Sequence, residues 1–291
     1  MVAKIDSTLT IRPAQLEEAA HLAADWHAAF SGITDYHGFP RDFASRQEAT
    51  DIMEAILQAP YVHSFVADHG SGPLAGAVLW QGEEVAAIGP VFVRPTLQGG
   101  TLGRQLMEAC IARAESLGQR SIRLTQSSFN RASMSLYAKL GFEVKEPLVV
   151  MQGAPLNVAV PCYSVRQAQM RDLEAMDNLY FQIHCHRRTN AIESAIENGT
   201  AMVAESNGMM EGYMSDSGFG GHAVGISNKS IYALLGAAKE FKMSGIVIPI
   251  RNAPLFKWCL DQGMRIVAPA NLMVKGWYQE PKGAFLPSCL Y

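Results

Sequence analysis

Gln98-Gly99-Gly100-Thr101-Leu102-Gly103-Arg104 is a short run whose residue types suit the binding of an anion. A helix that opens directly after a glycine-rich turn leaves several backbone N–H groups without intrahelical partners, and its dipole adds partial positive charge at the same end. Gly99, Gly100 and Gly103 carry no Cβ, so the main chain can take unusual dihedrals and a ligand can come close to it. Arg104 adds a fixed charge. The run contains neither a Gly-Lys-Ser/Thr ending nor Gly-x-Gly-x-x-Gly, which excludes the Walker and dinucleotide fingerprints. Taken alone, it fits equally a glycine turn that merely starts a helix. Farther on, Asn130 and Tyr137 are spaced two helical turns apart, ahead of Gly141-Phe142. Alone, Tyr137 fits a core aromatic with a satisfied hydroxyl.

The elements that must position these groups are legible on either side. Leu102, Leu106, Ala109, Cys110, Ala114 and Leu117 recur at three- and four-residue steps, which predicts a helix buried on one face and ended by Gly118. Before it, Val85 to Val93 is an apolar run that reads as a buried strand, interrupted by Gly89-Pro90. Proline cannot donate to a ladder, so a bulge or splay is expected there. If the strand parts from its neighbour beyond Pro90, the peptide groups of Val91, Phe92 and Val93 become free for an extended ligand. An amide-bearing arm such as pantetheine fits such a slot. Ser121 to Thr125 reads as a short strand, and Asn130 can cap a helix bearing Ser133, Leu136, Tyr137 and Leu140 before Gly141 stops it.

With these motifs, residues 85–152 resemble the cofactor core of the GNAT N-acetyltransferase superfamily. The family pattern is Gln/Arg-x-x-Gly-x-Gly/Ala after such a strand. Gln98 and Gly103 match its ends, while Thr101 stands where glycine is usual. A threonine hydroxyl can still donate to a phosphate, but its β-branch restricts the backbone. The resemblance implies an α/β fold of the α+β, mixed-sheet kind. It implies acetyl-CoA as co-substrate, held by Val91, Phe92, Val93, Gln98, Gly99, Gly100, Thr101, Leu102, Gly103, Arg104 and Asn130, with no metal. It makes Tyr137 the general acid for the departing thiolate and places a carboxylate base near Glu83 and Glu84, with Glu84 the candidate. That pair fits equally a solvated turn. The reaction implied is acetyl transfer to a primary amine of a small molecule or peptide by direct attack in a ternary complex, since no cysteine or serine is placed as an acyl carrier. The alternative is a non-catalytic acyl-CoA-binding or regulatory module.

The second half repeats the first. Ile11-Arg12-Pro13-Ala14-Gln15-Leu16 is echoed by Val165-Arg166-Gln167-Ala168-Gln169-Met170, and Phe65-Val66-Ala67-Asp68 by Met202-Val203-Ala204-Glu205. Asn252 to Met264 parallels Asn130 to Phe142 without a gap. This predicts two tandem acyl-CoA N-acyltransferase-like domains, 9–152 and 163–291, joined by a connector drawn from the proline-rich stretch Pro147 to Pro161. The second is degenerate, with Cys259 in the place of Tyr137 and His222 to Ser230 where a phosphate cradle belongs. Gly218, Gly220, Gly221 and Gly225 precede a helix expected over Lys229 to Phe241, and read either as a structural loop or as a remnant ligand contact.

Composition sets the remaining bounds. A chain of 291 residues with 48% hydrophobic content can bury two cores, and a net charge of −3 speaks against a nucleic-acid partner. No apolar run has membrane-helix length, and Met1 to Thr10 lacks signal-peptide character, so a cytoplasmic monomer or homodimer with no membrane partner is expected. The five cysteines show neither disulfide nor zinc spacing. His184-Cys185-His186 resembles a ligand pair, but residues two apart on a helix face different ways. Asp35, Tyr36 and His37 lie where relatives shape the acceptor pocket, and fit equally a surface loop with aromatic anchors.

Overall fold

A computed structural model of the chain describes residues 9–290, so Met1 to Thr8, most of the stretch read for a leader, and Tyr291 lie outside the described residues. The chain divides into two compact units, Met1–Leu124 with Phe129–Glu143, and Thr125–Ser128 with Val144–Tyr291. Each has its own core. No helix among the described residues is long and apolar enough to cross a membrane.

The first unit runs β1 (Thr10–Pro13), α1 (Ala19–His37), α2 (Arg46–Gln58), β2 (Val62–Asp68), β3 (Pro73–Trp80), β4 (Val85–Val93), α3 (Leu102–Ser116), β5 (Ser121–Ser127) and α4 (Arg131–Lys139). Its strands lie in the order β1-β2-β3-β4-β5, antiparallel except for the parallel pair β4/β5. The amphipathic helices cover the sheet by burying Leu22, Trp26 and Met53 with Phe43, Val66, Val78 and Phe92. Helix α3 buries Leu102, Leu106, Met107, Cys110, Ile111 and Ala114, the periodicity its sequence predicts.

The second unit takes in β6 (Glu143–Gln152) from its second residue onward, although the sequence reads that segment with the first domain. It continues with β7 (Ser164–Gln167), α5 (Leu173–His184), α6 (Thr189–Glu197), β8 (Met202–Ser206), β9 (Met209–Met214), β10 (Ala223–Gly225), α7 (Asn228–Ala237), β11 (Ile246–Pro249), α8 (Ala253–Asp261), β12 (Arg265–Gly276) and β13 (Ala284–Leu286). One sheet has the order β13-β10-β9-β8-β7; in the other part of the unit β6 lies between β12 and β11, with Leu148↔Pro249 to Met151↔Ile246 in antiparallel register. Pro147 thus sits in a strand, and the irregular connector begins only at Gly153. Helix α7 ends at Ala237, short of the expected Phe241, which is buried beyond it.

The duplication is visible as repeated hydrogen-bonding devices. Arg12 forks to Glu18 at 2.5 Å and Asp68 at 2.6 Å; Arg166 forks to Asp172 at 2.8 Å and Glu205 at 2.7 Å. Each arginine ties a strand end to the turn that opens the next helix, and each turn is closed by a capping box, Gln15 with Glu18 and Gln169 with Asp172. Asn130 caps α4 by accepting from Ser133 N at 3.1 Å, and Asn252 caps α8 by accepting from Leu255 N at 3.3 Å. Both helices end on a left-handed glycine, Gly141 at φ 89° and Gly263 at φ 85°.

The histidine pair departs from its helical reading. Helix α5 stops at His184 because Cys185 turns left-handed at φ 58°, and the turn brings both imidazoles to the Tyr180 ring, His184 stacked at 4.5 Å and His186 edge-on at 5.1 Å. His222 completes this buried group. Its Nδ1 lies 3.0 Å from Ser215 Oγ and its Nε2 2.9 Å from Tyr213 Oη. Ser215 Oγ spends its own proton on the His222 carbonyl, so Nδ1–H donates to Ser215 and Nε2 accepts from Tyr213. That pattern suits the neutral imidazole. Burial, reinforced by Arg188 and the neighbouring imidazoles, holds the His222 pKa well below its usual value.

A histidine whose folded-state pKa is depressed takes up its proton more readily when unfolded, so its contribution to stability is full above about pH 6.5 and is lost as pH falls below it. The urea midpoint is therefore expected to drop between pH 7 and 5, with His222 supplying a slope of up to about 1.4 kcal/mol per pH unit. In His222→Gln that part of the slope should vanish. Parallel pH profiles for the two proteins would remove His222 as its source.

Candidate active site

Strand β4 is bonded differently along its two halves. Its parallel ladder with β5 runs from Val85↔Ser121 to Ala87↔Arg123 and does not continue to Ile88 and Leu124. On the other side, the antiparallel register with β3 shifts between Ala77↔Val91 and Leu79↔Ile88, so that Gly89 and Pro90 bulge opposite Val78. Trp80 Nε1 donates to the Gly89 carbonyl at 2.6 Å and fixes the bulge. Arg94 N donates to Leu74 O, which sets the alternation of the ladder: Phe92 is bonded to β3, and the peptide groups of Val91 and Val93 face away from it. Gln98 Nε2 occupies the Val93 carbonyl at 3.1 Å and draws the following loop back onto the strand. Phe92 spends its main chain on β3 and its ring on the core, where it stacks with Trp26 at 6.4 Å.

The loop from Arg94 leads into α3, and its ends are pinned. Arg94 binds Asp25 of α1 through Nε and Nη2 at 3.1 and 2.9 Å and also donates to Pro73 O at 2.9 Å. From Gly99 through Arg104 no backbone N–H donates to a protein acceptor among the described residues; the first intrahelical bond is Gln105 N to Thr101 O. Gly99 alone in this run is left-handed, at φ 83°. Thr101 is helical at φ −94°, ψ −9°, a conformation open to a β-branched residue, and its hydroxyl makes no capping bond. The run is thus an uncapped helix start extended by two further N–H groups, which suits a pyrophosphate. Leu102 contributes only its N–H, since its side chain is core. Arg104 is half-buried and pairs with Glu108 at 3.3 Å.

Gly103 brings the parts together. A Cβ placed there would lie 3.6 Å from Leu136 of α4 and 3.8 Å from Val93 of β4, so cradle, open strand and second motif meet around one residue. One residue beyond Leu136, Tyr137 carries a hydroxyl with no hydrogen-bond partner among the described residues. Burial, with a further contribution from the Cys110 thiol, raises its pKa above the usual phenol value. It is therefore a protonated donor at neutral pH. Cys110 is itself buried, and its thiol is pushed up to about 12, which removes it as a nucleophile. Asn130 is committed through Oδ1 to its cap.

Glu84 is not brought to this group. It pairs with Arg120 at 3.3 Å ahead of β4, and the rise of a strand separates it from Val91 by roughly 20 Å. The acceptor-side residues also sort themselves. Asp35 is bound to Arg41 at 2.6 Å, Tyr36 is exposed, and His37 lies against Phe129 at 5.3 Å. The sequence reading passed over Asp25 with Arg94, the Trp26–Phe43 pair, and Phe129 with Phe39. Their signal is three-dimensional, since each meets a partner far along the chain.

The second unit builds the same strand and closes it. Strand β10 stands where β4 does, after the meander β8-β9, but its far edge is occupied by β13 in the register Ala223↔Leu286, Val224↔Phe285, Gly225↔Ala284. Only Ile226 and Ser227 separate β10 from α7. A Cβ at Gly225 would lie 2.1 Å from Ser230 Oγ, and one at Gly221 2.0 Å from Asp216 O, so these glycines serve close packing. Cys259 is buried with its thiol pushed up to about 12. Among the described residues no group of His, Cys, Asp or Glu is placed to hold a metal.

A family model described as the acetyltransferase (GNAT) family matches residues 26–142. No curated protein matches the chain. Among solved structures it is similar to a protein from Pyrococcus horikoshii described as an acetyltransferase, at 16% identity over 96% of this chain and 92% of that one, with a TM-score of 0.72. A GCN5-related N-acetyltransferase from Sphaerobacter thermophilus matches at 14% identity over 95% and 98%, with a TM-score of 0.60. A tandem GNAT protein from the clavulanic acid biosynthesis pathway matches at 13% identity over 92% and 98%, with a TM-score of 0.56. At these identities the likeness is one of fold, and this chain shares the mixed α/β architecture of these structures.

Two glycines separate packing from ligand access. A Cβ at Gly76 would come within 2.5 Å of the buried Phe92 ring, so Gly76→Ala is expected to cost about 1–3 kcal/mol in chemical denaturation. Gly103→Ala meets only ordinary contacts and should change stability by less than about 0.5 kcal/mol. Equal losses would make Gly103 a packing residue instead.

Proposed function

We propose that this chain, whose residues 26–142 match a family model described as the acetyltransferase (GNAT) family, moves the acetyl group of acetyl-CoA to a primary amine by direct attack in a ternary complex. The observation that carries the reading is the run of unpartnered N–H groups from Gly99 to Arg104, meeting the open edge of β4 and the start of α4 around Gly103. The cradle residues would hold the pyrophosphate, and the N–H groups of Val91 and Val93 would hold the amide-bearing arm or the carbonyl oxygen of the acetyl group. When bound, acetyl-CoA supplies the activated acetyl group. Tyr137 keeps a proton ready for the departing sulfur, and its raised pKa ensures that it is protonated when needed. The inert Cys110 favours direct attack over an acyl-enzyme route.

A non-catalytic acyl-CoA-binding module is the second reading, favoured by the placement of Glu84 away from the cradle. Release of free thiol from acetyl-CoA in a screen of amines separates the two, since a binder releases none. Coenzyme A should raise the thermal midpoint of the wild type, and Gly103→Glu should weaken binding about ten-fold or more by setting a carboxylate among the phosphate donors. Tyr137→Phe should lower turnover about 100-fold with coenzyme affinity near that of the wild type. Unaltered turnover would remove Tyr137 as the acid, and absence of coenzyme binding would sink the enzyme reading.

A further inference from the structure

The second unit has an open cavity of about 450 Å³ at the start of α5, lined by Met170, Arg171, Leu173, Glu174, Asp177 and Arg187. One part of its wall is firmly held. Asp177 is buried and spends its carboxylate on the turn that follows α5, accepting from Arg187 Nη1 at 2.6 Å, Arg188 N at 3.0 Å and Thr189 Oγ1 at 3.0 Å. Arg187 Nη1 also donates to Asn178 Oδ1 at 3.2 Å, and its guanidinium carbon lies over the Phe181 ring at 5.1 Å. The guanidinium is thus fixed through one nitrogen and one face, while its Nε and Nη2 donate to nothing among the described residues.

The rest of the lining supplies one charge of each sign beside apolar surface. Arg171 and Glu174 stand one turn apart where α5 begins, and neither makes a hydrogen bond or ion pair among the described residues. Met170 and Leu173 contribute hydrocarbon. The duplication shows that this lining is no part of the shared scaffold. Continued without a gap from the echo of Ile11 in Val165, the register sets Arg171, Glu174 and Asp177 against Glu17, Ala20 and Ala23 of the first copy. Ala23 is buried on α1 as Asp177 is on α5, so the helix packs without a carboxylate there. The arginine forks and capping boxes occur in both copies, and the charged lining in the second alone.

A guanidinium held in place with two donor nitrogens unspent, and a second arginine in the same cavity, suit a carboxylate. Glu174 suits an ammonium group. A simple anion would meet the Glu174 charge and a simple amine would meet two arginines, so the lining matches a ligand that carries both groups close together. We propose that this cavity binds an apolar α-amino acid, whose carboxylate is received by Arg187 and Arg171, whose ammonium group is received by Glu174, and whose side chain lies on Met170 and Leu173. Asp177 acts as a positioning residue by setting the Arg187 plane in advance of the ligand. The assignment gives the second unit a ligand of its own and stands independently of the acetyltransferase reading.

The test is calorimetric titration of the full chain at pH 7 with L-leucine, with 4-methylpentanoate, which lacks the ammonium group, and with 3-methylbutylamine, which lacks the carboxylate. The wild type is expected to bind leucine about ten-fold or more tightly than either half-molecule. Glu174→Gln should weaken leucine by about ten-fold while leaving 4-methylpentanoate at or above its wild-type affinity. Arg171→Gln should weaken leucine and 4-methylpentanoate together and spare 3-methylbutylamine. Both side chains are exposed, so a thermal midpoint near that of the wild type reports that the variants are folded. Absence of leucine binding, a wild type that does not prefer leucine to its halves, or variants that bind all three ligands as the wild type does would overturn the proposal.

Discussion

The separation of β4 from β5 after Ala87 and Arg123 is the constraint on which the rest of the site depends. A parallel strand in a covered sheet ordinarily spends its peptide groups on two neighbours. Here the bulge at Gly89-Pro90 shifts the β3 register, and beyond it β4 keeps only one neighbour. The main chain of Val91 and Val93 is thereby turned away from β3. Everything nearby holds that opening in shape. Trp80 clamps the bulge, Gln98 ties the loop to Val93, and Arg94 locks the strand end to Asp25 on α1. The uncapped start of α3 then stands beside the opening, as the Gly103 contacts require.

The same fold, repeated in the second unit, illustrates how little is needed to abolish such a site. The arginine forks, capping boxes and asparagine caps persist, so the scaffold was kept. The opening was not. Strand β13 supplies the hydrogen bonds that β10 would otherwise leave unmade, and the shortened β10–α7 connection has no room for a cradle. Pairing the edge satisfies buried backbone groups without any ligand. The buried imidazole group around Tyr180 belongs to this second unit.

Much of the first unit was legible in the residues because its signals are local. The α3 periodicity, the Gly89-Pro90 interruption and the Asn130 cap each depend on neighbours within a few positions, and each appears in the structure as read. The duplication was legible because both copies kept the same paired charges. What the sequence did not disclose is set by long-range packing. Phe92 looks like any residue of an open strand, but the ladder alternation turns it to β3 and the core. Glu84 looks adjacent to the site in sequence, yet strand length carries it to the far end. The left-handed turn at Cys185 reversed the reading of two histidines. Thr101 departed from the family pattern without consequence for the backbone, because its position is helical.

The most direct measurement is backbone amide hydrogen exchange with and without coenzyme A, resolved residue by residue. If the open strand and the uncapped helix form one coenzyme slot, the amides from Gly99 to Arg104 and those of Val91 and Val93 gain protection on binding, while Ala223 to Ser230 in the closed copy do not change. Protection confined to other segments, or appearing instead around β10, would contradict the account.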